Sequence, residues 1–125
     1  MAHPDYWKKF LPNSKRSNIS WESYGIEILK AIQALADNNV GFEVNTSAIK
    51  AGWNNFYPLR EFIRQANIVG VKKVTIGSDS HTPYSLGYRL LDAVEQLKEE
   101  GFTKISIFTD RKSKEISIDK VIKRI

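Results

Sequence analysis

The sequence contains no cysteine and only two histidines among its 125 residues. The lack of cysteine excludes a disulfide scaffold, a thiolate zinc finger, an iron–sulfur centre and a cysteine nucleophile. It fits a reducing compartment, and we expect a cytoplasmic protein. No apolar run approaches the roughly 20 residues that a membrane-spanning helix needs. The stretch from Met1 to Asp5 has neither the basic region nor the apolar core of a signal peptide, so we expect no membrane association.

The composition is that of one ordinary globular domain, with 42% hydrophobic and 26% charged residues. This balance excludes intrinsic disorder and collagen. The net charge of +5 raises the question of an anionic partner such as nucleic acid. The basic residues, among them a loose group at Lys8, Lys9, Lys15 and Arg16, form no stripe along a recognition helix. A solvated basic surface is therefore the favoured interpretation, and nucleic-acid binding is the less favoured alternative.

Apolar periodicity predicts alternating helices and strands along the chain. The predicted helices cover 21–37, 58–70 and 85–101, and the predicted strands cover 42–46, 72–77 and 103–108. Residues 1–18 and 48–57 are predicted loops, and 115–125 could form a short strand, a short helix or both. Strands separated by helices of this length indicate parallel βα units and an α/β fold. No repeat or composition break divides the chain, so we expect a single domain over 1–125.

Two features restrict this α/β interpretation. The sequence has neither a GxGxxG motif nor a P-loop, so it gives no support to a nucleotide-binding fold. Three strands are also few for an α/β domain, because a parallel sheet needs both faces covered. The pattern favours part of a larger sheet or barrel.

The most specific chemical feature is the segment Gly77-Ser78-Asp79-Ser80-His81, directly after a predicted strand. Asp79 and His81 are two residues apart, so an extended chain would point both side chains the same way. Sites in α/β folds form at this end of the strands, and a carboxylate beside an imidazole suits zinc, iron or manganese. The alternative is that Asp79 caps a turn and His81 is an ordinary surface residue.

Two further segments could contribute to such a site. His3 is the other histidine and would follow a strand end at Met1-Ala2, although an N-terminal histidine without a role is the alternative. Glu43 and Asn45 would share one face of the strand at 42–46, and that face either lines a site or faces solvent. Three arginines could bind a phosphate by paired hydrogen bonds, and the sequence does not choose among Arg16, Arg89 and Arg111.

Taken together, these segments resemble one family. The shared order is His3-Pro4-Asp5, then Glu43-Val44-Asn45-Thr46-Ser47 ahead of Tyr57-Pro58, then Gly77-Ser78-Asp79-Ser80-His81, then Gly101-Phe102 before a last strand. The chain is similar to the C-terminal part of the polymerase-and-histidinol-phosphatase (PHP) family, and most similar to its histidinol-phosphatase branch. The resemblance extends over nearly the whole chain.

The resemblance implies a fold and a chemistry. Family members are distorted seven-stranded β/α barrels that hydrolyse phosphoesters with up to three zinc, iron or manganese ions. This chain would form the C-terminal half of such a barrel. His3, Asp79 and His81 match metal ligands of the family, with Asp79 and His81 also counted as catalytic. The expected substrate contacts are Asn45 and Ser47, which would shape the pocket, and Lys9 or Arg16, which would meet the phosphate.

The departure from the family pattern is large. The N-terminal His-x-His motif and the further ligands that follow it in the family are absent. With two histidines this chain lacks most of the metal ligands, so whether it is an enzyme by itself stays open. We expect either a missing N-terminal half, supplied by the same or another chain, or a non-catalytic module that assembles with itself or a partner. A polymerase-associated module that binds nucleic acid is a further alternative.

Overall fold

The computed structural model describes residues 1–16 and 20–124. Six α-helices and four strands occur within these ranges, together with 3₁₀ turns at Tyr6–Phe10 and Pro83–Ser85. The helices are α1 (Asn13–Arg16), α2 (Trp21–Asp37), α3 (Ser47–Lys50), α4 (Arg60–Val69), α5 (Leu90–Glu99) and α6 (Ile118–Lys123). The strands are β1 (Phe42–Asn45), β2 (Val74–Gly77), β3 (Lys104–Thr109) and β4 (Lys112–Ser117).

Met1 pairs with β1 beside the parallel sheet that β1 and β2 form. Strands β1 and β2 pair in parallel, with Phe42 opposite Val74. On the other side of β1, the Met1 ammonium donates to the Gly41 carbonyl at 2.6 Å, and the Glu43 amide donates to the Met1 carbonyl at 2.9 Å. One residue that donates to residue 41 and accepts from residue 43 of its neighbour shows the hydrogen-bond pattern of parallel strands. Three neighbouring segments therefore end at the same edge of the sheet.

The hydrophobic core lies on the helix side of this sheet. The apolar side chains of β1 and β2 pack there against the inward faces of α2, α4 and α5. Members that are almost completely buried include Ile32, Val44, Ile63, Ala66, Val74 and Leu97. The buried residues of α2 and α4, among them Ile32 and Leu35 and then Phe62, Ile63 and Ala66, follow the three- and four-residue spacing of an amphipathic helix.

The predicted third strand has a different pairing from the one expected of a parallel βα unit. Strand β3 pairs antiparallel with β4, and it packs against β2 outside the parallel ladder. The cause is a two-residue turn at Asp110 and Arg111, whose φ angles are 49° and 62°. Two successive residues with positive φ angles are typical of the two-residue turn in a tight β-hairpin. The C-terminal segment thus forms both a strand and a helix, with Ile125 outside the described residues.

Other boundaries also differ from the sequence prediction. The third predicted helix begins at Leu90 instead of Ser85, because Gly87 and Arg89 have positive φ angles of 75° and 54° that interrupt a helix. The second begins at Arg60, two residues after Pro58. The predicted N-terminal loop contains a 3₁₀ turn and α1, and its last residues lie outside the described part of the chain.

The opposite face of the sheet is concave and open. A cavity of about 460 Å³ lies against it, with Glu43, Thr75 and Phe108 on its wall. The Phe108 side chain is 57% exposed there. The fold is therefore mixed α/β with one covered and one uncovered sheet face. Within the described residues, no helix combines the length and apolar content needed to cross a bilayer.

A charge cluster joins α4 to the end of α5. The Glu100 side chain is only 3% exposed and accepts hydrogen bonds from Arg60 Nε and from Arg64 Nε, the latter at 2.9 Å. Burial alone would raise the pKa of Glu100, but the hydrogen bonds and charges of the two guanidinium groups hold it below its ordinary value. The ionised carboxylate is therefore the form that stabilises this helix junction.

We expect the Glu100→Gln variant to lose about 1.5 kcal/mol of unfolding free energy at pH 7. Because the pKa is depressed in the folded state, the contribution is present above the unfolded-state pKa of about 4.3 and is lost as the pH falls through the lower folded-state value. Urea denaturation at pH 7 and pH 3 measures this difference. Glu95→Gln is the control, since Glu95 is exposed on the same helix α5. If Glu100→Gln lost the same unfolding free energy at pH 7 and at pH 3, the stabilising role of the ionised Glu100 carboxylate would be contradicted.

Candidate functional site

Residues from three separate segments line one cavity at the carboxyl edge of the sheet. The cavity has a volume of about 450 Å³. Its wall is formed by His3, Tyr6, Lys9, Ser47, Lys50, Ala51, Tyr57, Asp79 and His81. The parallel alignment explains this meeting, because residues 1–3, β1 and β2 all end at this edge. Five of the seven site residues that the family resemblance implies are thus brought together.

Asp79 and His81 lie next to each other in the loop after β2. The His81 Nδ1 atom is 2.9 Å from the Asp79 carbonyl oxygen and 3.8 Å from Asp79 Oδ1. A carbonyl oxygen only accepts, so Nδ1 carries the proton in this contact and Nε2 remains available to a ligand. Metal-binding histidines are typically oriented in this way by a hydrogen bond from their other nitrogen. The His81 side chain is 82% exposed.

Serine and threonine side chains hold the loop that presents these two residues. Ser80 Oγ donates to the Thr82 carbonyl at 2.6 Å and lies 2.8 Å from Ser85 Oγ. The buried Ser78 hydroxyl accepts a hydrogen bond from the Gly87 amide at 3.3 Å. Asp79 itself has a φ of 47°, a conformation that aspartate tolerates better than most residues. The loop conformation is thus fixed by local polar contacts.

Asn45 lies behind the cavity and positions Ser47. Its side-chain oxygen accepts hydrogen bonds from the Ser47 amide at 3.0 Å and from Ser47 Oγ at 2.6 Å. Its Nδ2 donates to Glu43 Oε2 at 3.3 Å, and the same carboxylate oxygen accepts from the His3 amide at 3.2 Å. Asn45 is 1% exposed. Asn45, a predicted substrate contact, thus lies off the cavity wall and touches Ser47, which lines it.

Glu43 connects the three segments that form the site. It contacts His3 and Asn45, and its Oε1 would lie 2.5 Å from a Cβ atom at Gly77. Only glycine at this position leaves room for the carboxylate, since any other residue would displace it. The sequence placed Glu43 on a possible site face, and the structure shows it as the link between the ends of the three segments.

A buried ion pair fixes the N-terminal segment against the loop before α4. Lys8 Nζ is 2.6 Å from Asp5 Oδ2, and the two side chains are 0% and 4% exposed. The Asp5 oxygen also accepts from the Leu59 amide at 2.9 Å. The Lys8 ammonium lies 5.2 Å from the ring centroids of both Trp53 and Tyr57, within the range of cation–π attraction. Lys8 is therefore a core residue, although the sequence grouped it with the surface cations.

Burial opposes ionisation of both partners. It raises the pKa of Asp5, although the charge and hydrogen bond of Lys8 act in the opposite direction. It lowers the pKa of Lys8, against the effect of Asp5. Burial and the nearby Asp5 charge also raise the pKa of Tyr24 to about 12. In both pKa values the effect of burial thus exceeds that of the attraction between the two groups.

The basic side chains near the site occupy two adjoining cavities. Lys9 lies on the first cavity, where its Nζ donates to Tyr6 Oη at 2.6 Å. Arg16 lies outside it and lines a neighbouring cavity of about 700 Å³. Lys50 lines both. Sequence reasoning missed Lys50 and used Tyr57 only as a mark of family resemblance, because a predicted loop over residues 48–57 gave no reason to place either side chain at a site.

The three candidate metal ligands line the same cavity but are not gathered around one point. Within residues 1–16 and 20–124, no three histidine, cysteine, aspartate or glutamate side chains are close enough to hold a metal ion. The donor types of His3, Asp79 and His81 nevertheless suit zinc, iron or manganese. They therefore stay candidate ligands.

Comparison with known proteins shows a similarity that extends over part of this chain. No protein-family model matches the chain. The chain is similar to the probable histidinol-phosphatase of Deinococcus radiodurans, with 30% identity over 73 residues. The aligned part covers 58% of this chain and 28% of that protein, so the chain spans less than a third of its relative by this alignment. The similarity supports a relation to a phosphatase at this coarse level.

We expect Lys8→Met to destabilise the protein by about 3 to 5 kcal/mol, because it leaves the Asp5 carboxylate buried without its partner. Urea denaturation followed by circular dichroism measures the change. Lys15→Met is the matched control on an exposed residue and should change the unfolding free energy by less than about 0.5 kcal/mol. Equal, small effects of the two substitutions would show that the pair contributes little.

Proposed function

We propose that this chain is the C-terminal part of a metal-dependent phosphomonoesterase of the histidinol-phosphatase type. The observation that carries the proposal is the shared cavity: His3, Ser47 and the Asp79–His81 pair come from distant segments and meet at the carboxyl edge of one sheet. The similarity to a probable histidinol-phosphatase supports the same class. L-Histidinol phosphate is the reference substrate for testing it.

His3, Asp79 and His81 would hold a divalent cation, with His81 contributing Nε2. Their donor types fit such an ion, and the orientation of His81 by the Asp79 carbonyl is typical of a metal-binding histidine. When bound, the ion supplies an activated water and stabilises the negative charge that develops on the phosphoryl oxygens. Because the described residues provide only part of a site, further ligands would come from outside them.

The remaining side chains on the cavity would bind and orient the phosphate. Lys9 and Lys50 provide positive charge on one wall, where they attract a phosphate dianion. The Ser47 hydroxyl donates to Asn45, and its position at the beginning of α3 is fixed by that bond. Tyr57 closes the inner wall with a ring that is 1% exposed. These groups define where the phosphate lies relative to Asp79 and His81.

The missing ligands would come from a polypeptide that covers the concave sheet face. That face exposes Phe108 beside the cavity lined by Glu43 and Thr75. In the related phosphatase, most of the length lies outside the aligned part. We therefore expect an N-terminal half, in the same protein or in a partner, to complete a barrel on this side.

A non-catalytic module is the second candidate. It is favoured by one observation: no three potential ligands within the described ranges are gathered around a common point. In that case the same concave face would be covered by a second copy of the chain, and the protein would bind no metal cluster. The two candidates differ in stoichiometry, metal content and turnover.

We expect the purified protein to bind Mn²⁺ or Zn²⁺ and the Asp79→Asn variant to bind it more than about tenfold more weakly. Titration calorimetry measures the affinity, and native mass spectrometry with metal analysis on the same sample gives the stoichiometry. Asp110→Asn, in the β3–β4 turn, is the control and should bind as the parent does.

Hydrolysis of L-histidinol phosphate then separates the candidates. A complex with a second, histidine-rich polypeptide, two or three metals and phosphate release abolished by Asp79→Asn would support the phosphatase. A metal-poor homo-oligomer without turnover would support the module. A monodisperse monomer with native helix and strand content would contradict the expectation that the concave face needs a partner.

A further inference from the structure

Strand β4 has a free edge. It pairs with β3 on one side, and on its other side no strand of the described ranges pairs with it. The Ile118 amide donates to the Thr103 carbonyl at 2.9 Å, which extends the β3–β4 register by one residue and sets its alternation. By this alternation the backbone groups of Ser113 and Glu115 point away from β3. Both residues are exposed, so their amides and carbonyls form a template for a further strand.

A groove runs along this edge, between β4 and α6. Its volume is about 440 Å³. The lining includes the apolar side chains of Ile116 and Val121, which are half-buried and also pack against the hydrophobic core. Its charged lining includes Lys114, Lys120 and Arg124. An extended segment laid along β4 would therefore meet both apolar and cationic side chains.

The groove lies in the most positive part of the chain. Residues 104–124 contain seven basic and three acidic residues, and so carry +4 of the net charge of +5. Glu115 also lines the groove, but its carboxylate is already paired with Lys104 at 3.0 Å. Among the described residues, Lys114 and Lys120 take part in no ion pair. The groove therefore attracts negatively charged groups.

The same charges disfavour a second copy of the chain at this edge. Two β4 strands side by side would bring Lys112 and Lys114 of both copies close together. Like charges opposite each other on neighbouring strands destabilise the pairing, and lysine on an edge strand is one way in which proteins prevent edge-to-edge association. A strand that carries carboxylates meets no such repulsion.

We propose that the free edge of β4 binds an extended acidic segment of another protein as an additional strand. The backbone groups of Ser113 and Glu115 would pair with the segment, and Lys114 and Lys120 would attract carboxylates on every second residue of it. The residues between these carboxylates would be small and neutral. The proposal does not depend on the phosphatase assignment, because the candidate site is lined by other segments.

Two capped peptides of equal length test the proposal. One alternates threonine with glutamate, and the other has lysine in place of each glutamate. We expect the protein to bind the glutamate peptide at least about tenfold more tightly, as measured by titration calorimetry. Lys120→Glu should weaken this binding about tenfold. Lys123→Glu is the matched control, since it makes the same charge change on α6 outside the groove lining, and it should weaken binding no more than about threefold.

Hydrogen exchange in the unmodified protein reads backbone pairing separately from charge. The glutamate peptide should slow the exchange of the Ser113 and Glu115 amides. The Lys114 amide, which faces Ile107 across the hairpin, is the internal reference and should keep its rate. Methylation of alternate peptide nitrogens should abolish binding in one of the two alternate sets and not in the other.

Several results would overturn the proposal. They are equal binding of the two peptides, equal effects of Lys120→Glu and Lys123→Glu, and unchanged exchange at Ser113 and Glu115 in the saturated protein. Protection of these two amides without peptide, increasing with protein concentration, would show a second copy at the edge and would overturn it as well. None of these outcomes changes the expectation for metal binding or phosphate release at the candidate site.

Discussion

The parallel alignment of residues 1–3, β1 and β2 is the constraint on which the candidate site depends. Parallel strands bring their carboxyl ends to the same edge, so side chains far apart in sequence meet there without any long connecting structure. Two backbone hydrogen bonds at Met1 place the N-terminal segment in this arrangement. His3 lies on the cavity for this reason, beside a loop that follows β2.

Behind this edge, side-chain hydrogen bonds and a buried ion pair hold the segments together. Glu43 joins the N-terminal segment to β1 through hydrogen bonds to His3 and Asn45, and its carboxylate lies against Gly77 of β2. Asp5 and Lys8 attach the N-terminal segment to the loop before α4. Buried ion pairs of this kind contribute more to a unique arrangement than to net stability, because desolvation cancels much of their attraction. Here they fix where the wall of the cavity lies.

The alternation of α2, β1, α4, β2, α5 and β3 could be predicted, because apolar periodicity is a local property of the sequence. The meeting of Asp79, His81, His3 and Ser47 was implied by the family resemblance, and the placement of sites at strand ends in α/β folds agrees with it. The hairpin at Asp110 could not, since neither of its turn residues is glycine and the usual sign of such a turn is absent. The burial of Lys8 was also beyond sequence reasoning. A lysine becomes a core residue only through its partners, and Asp5 and the Trp53 ring are brought to it by tertiary packing.

The enclosure of Lys8 has a consequence for how this protein can be studied. An amine with no exposed surface, paired with a carboxylate, does not react with acylating or reductive-methylating reagents while the segment stays packed. The exposed lysines react at once and provide an internal reference. The slow labelling of Lys8 therefore reports how often the N-terminal segment detaches from the sheet, and with it how often the cavity wall that carries His3 comes apart.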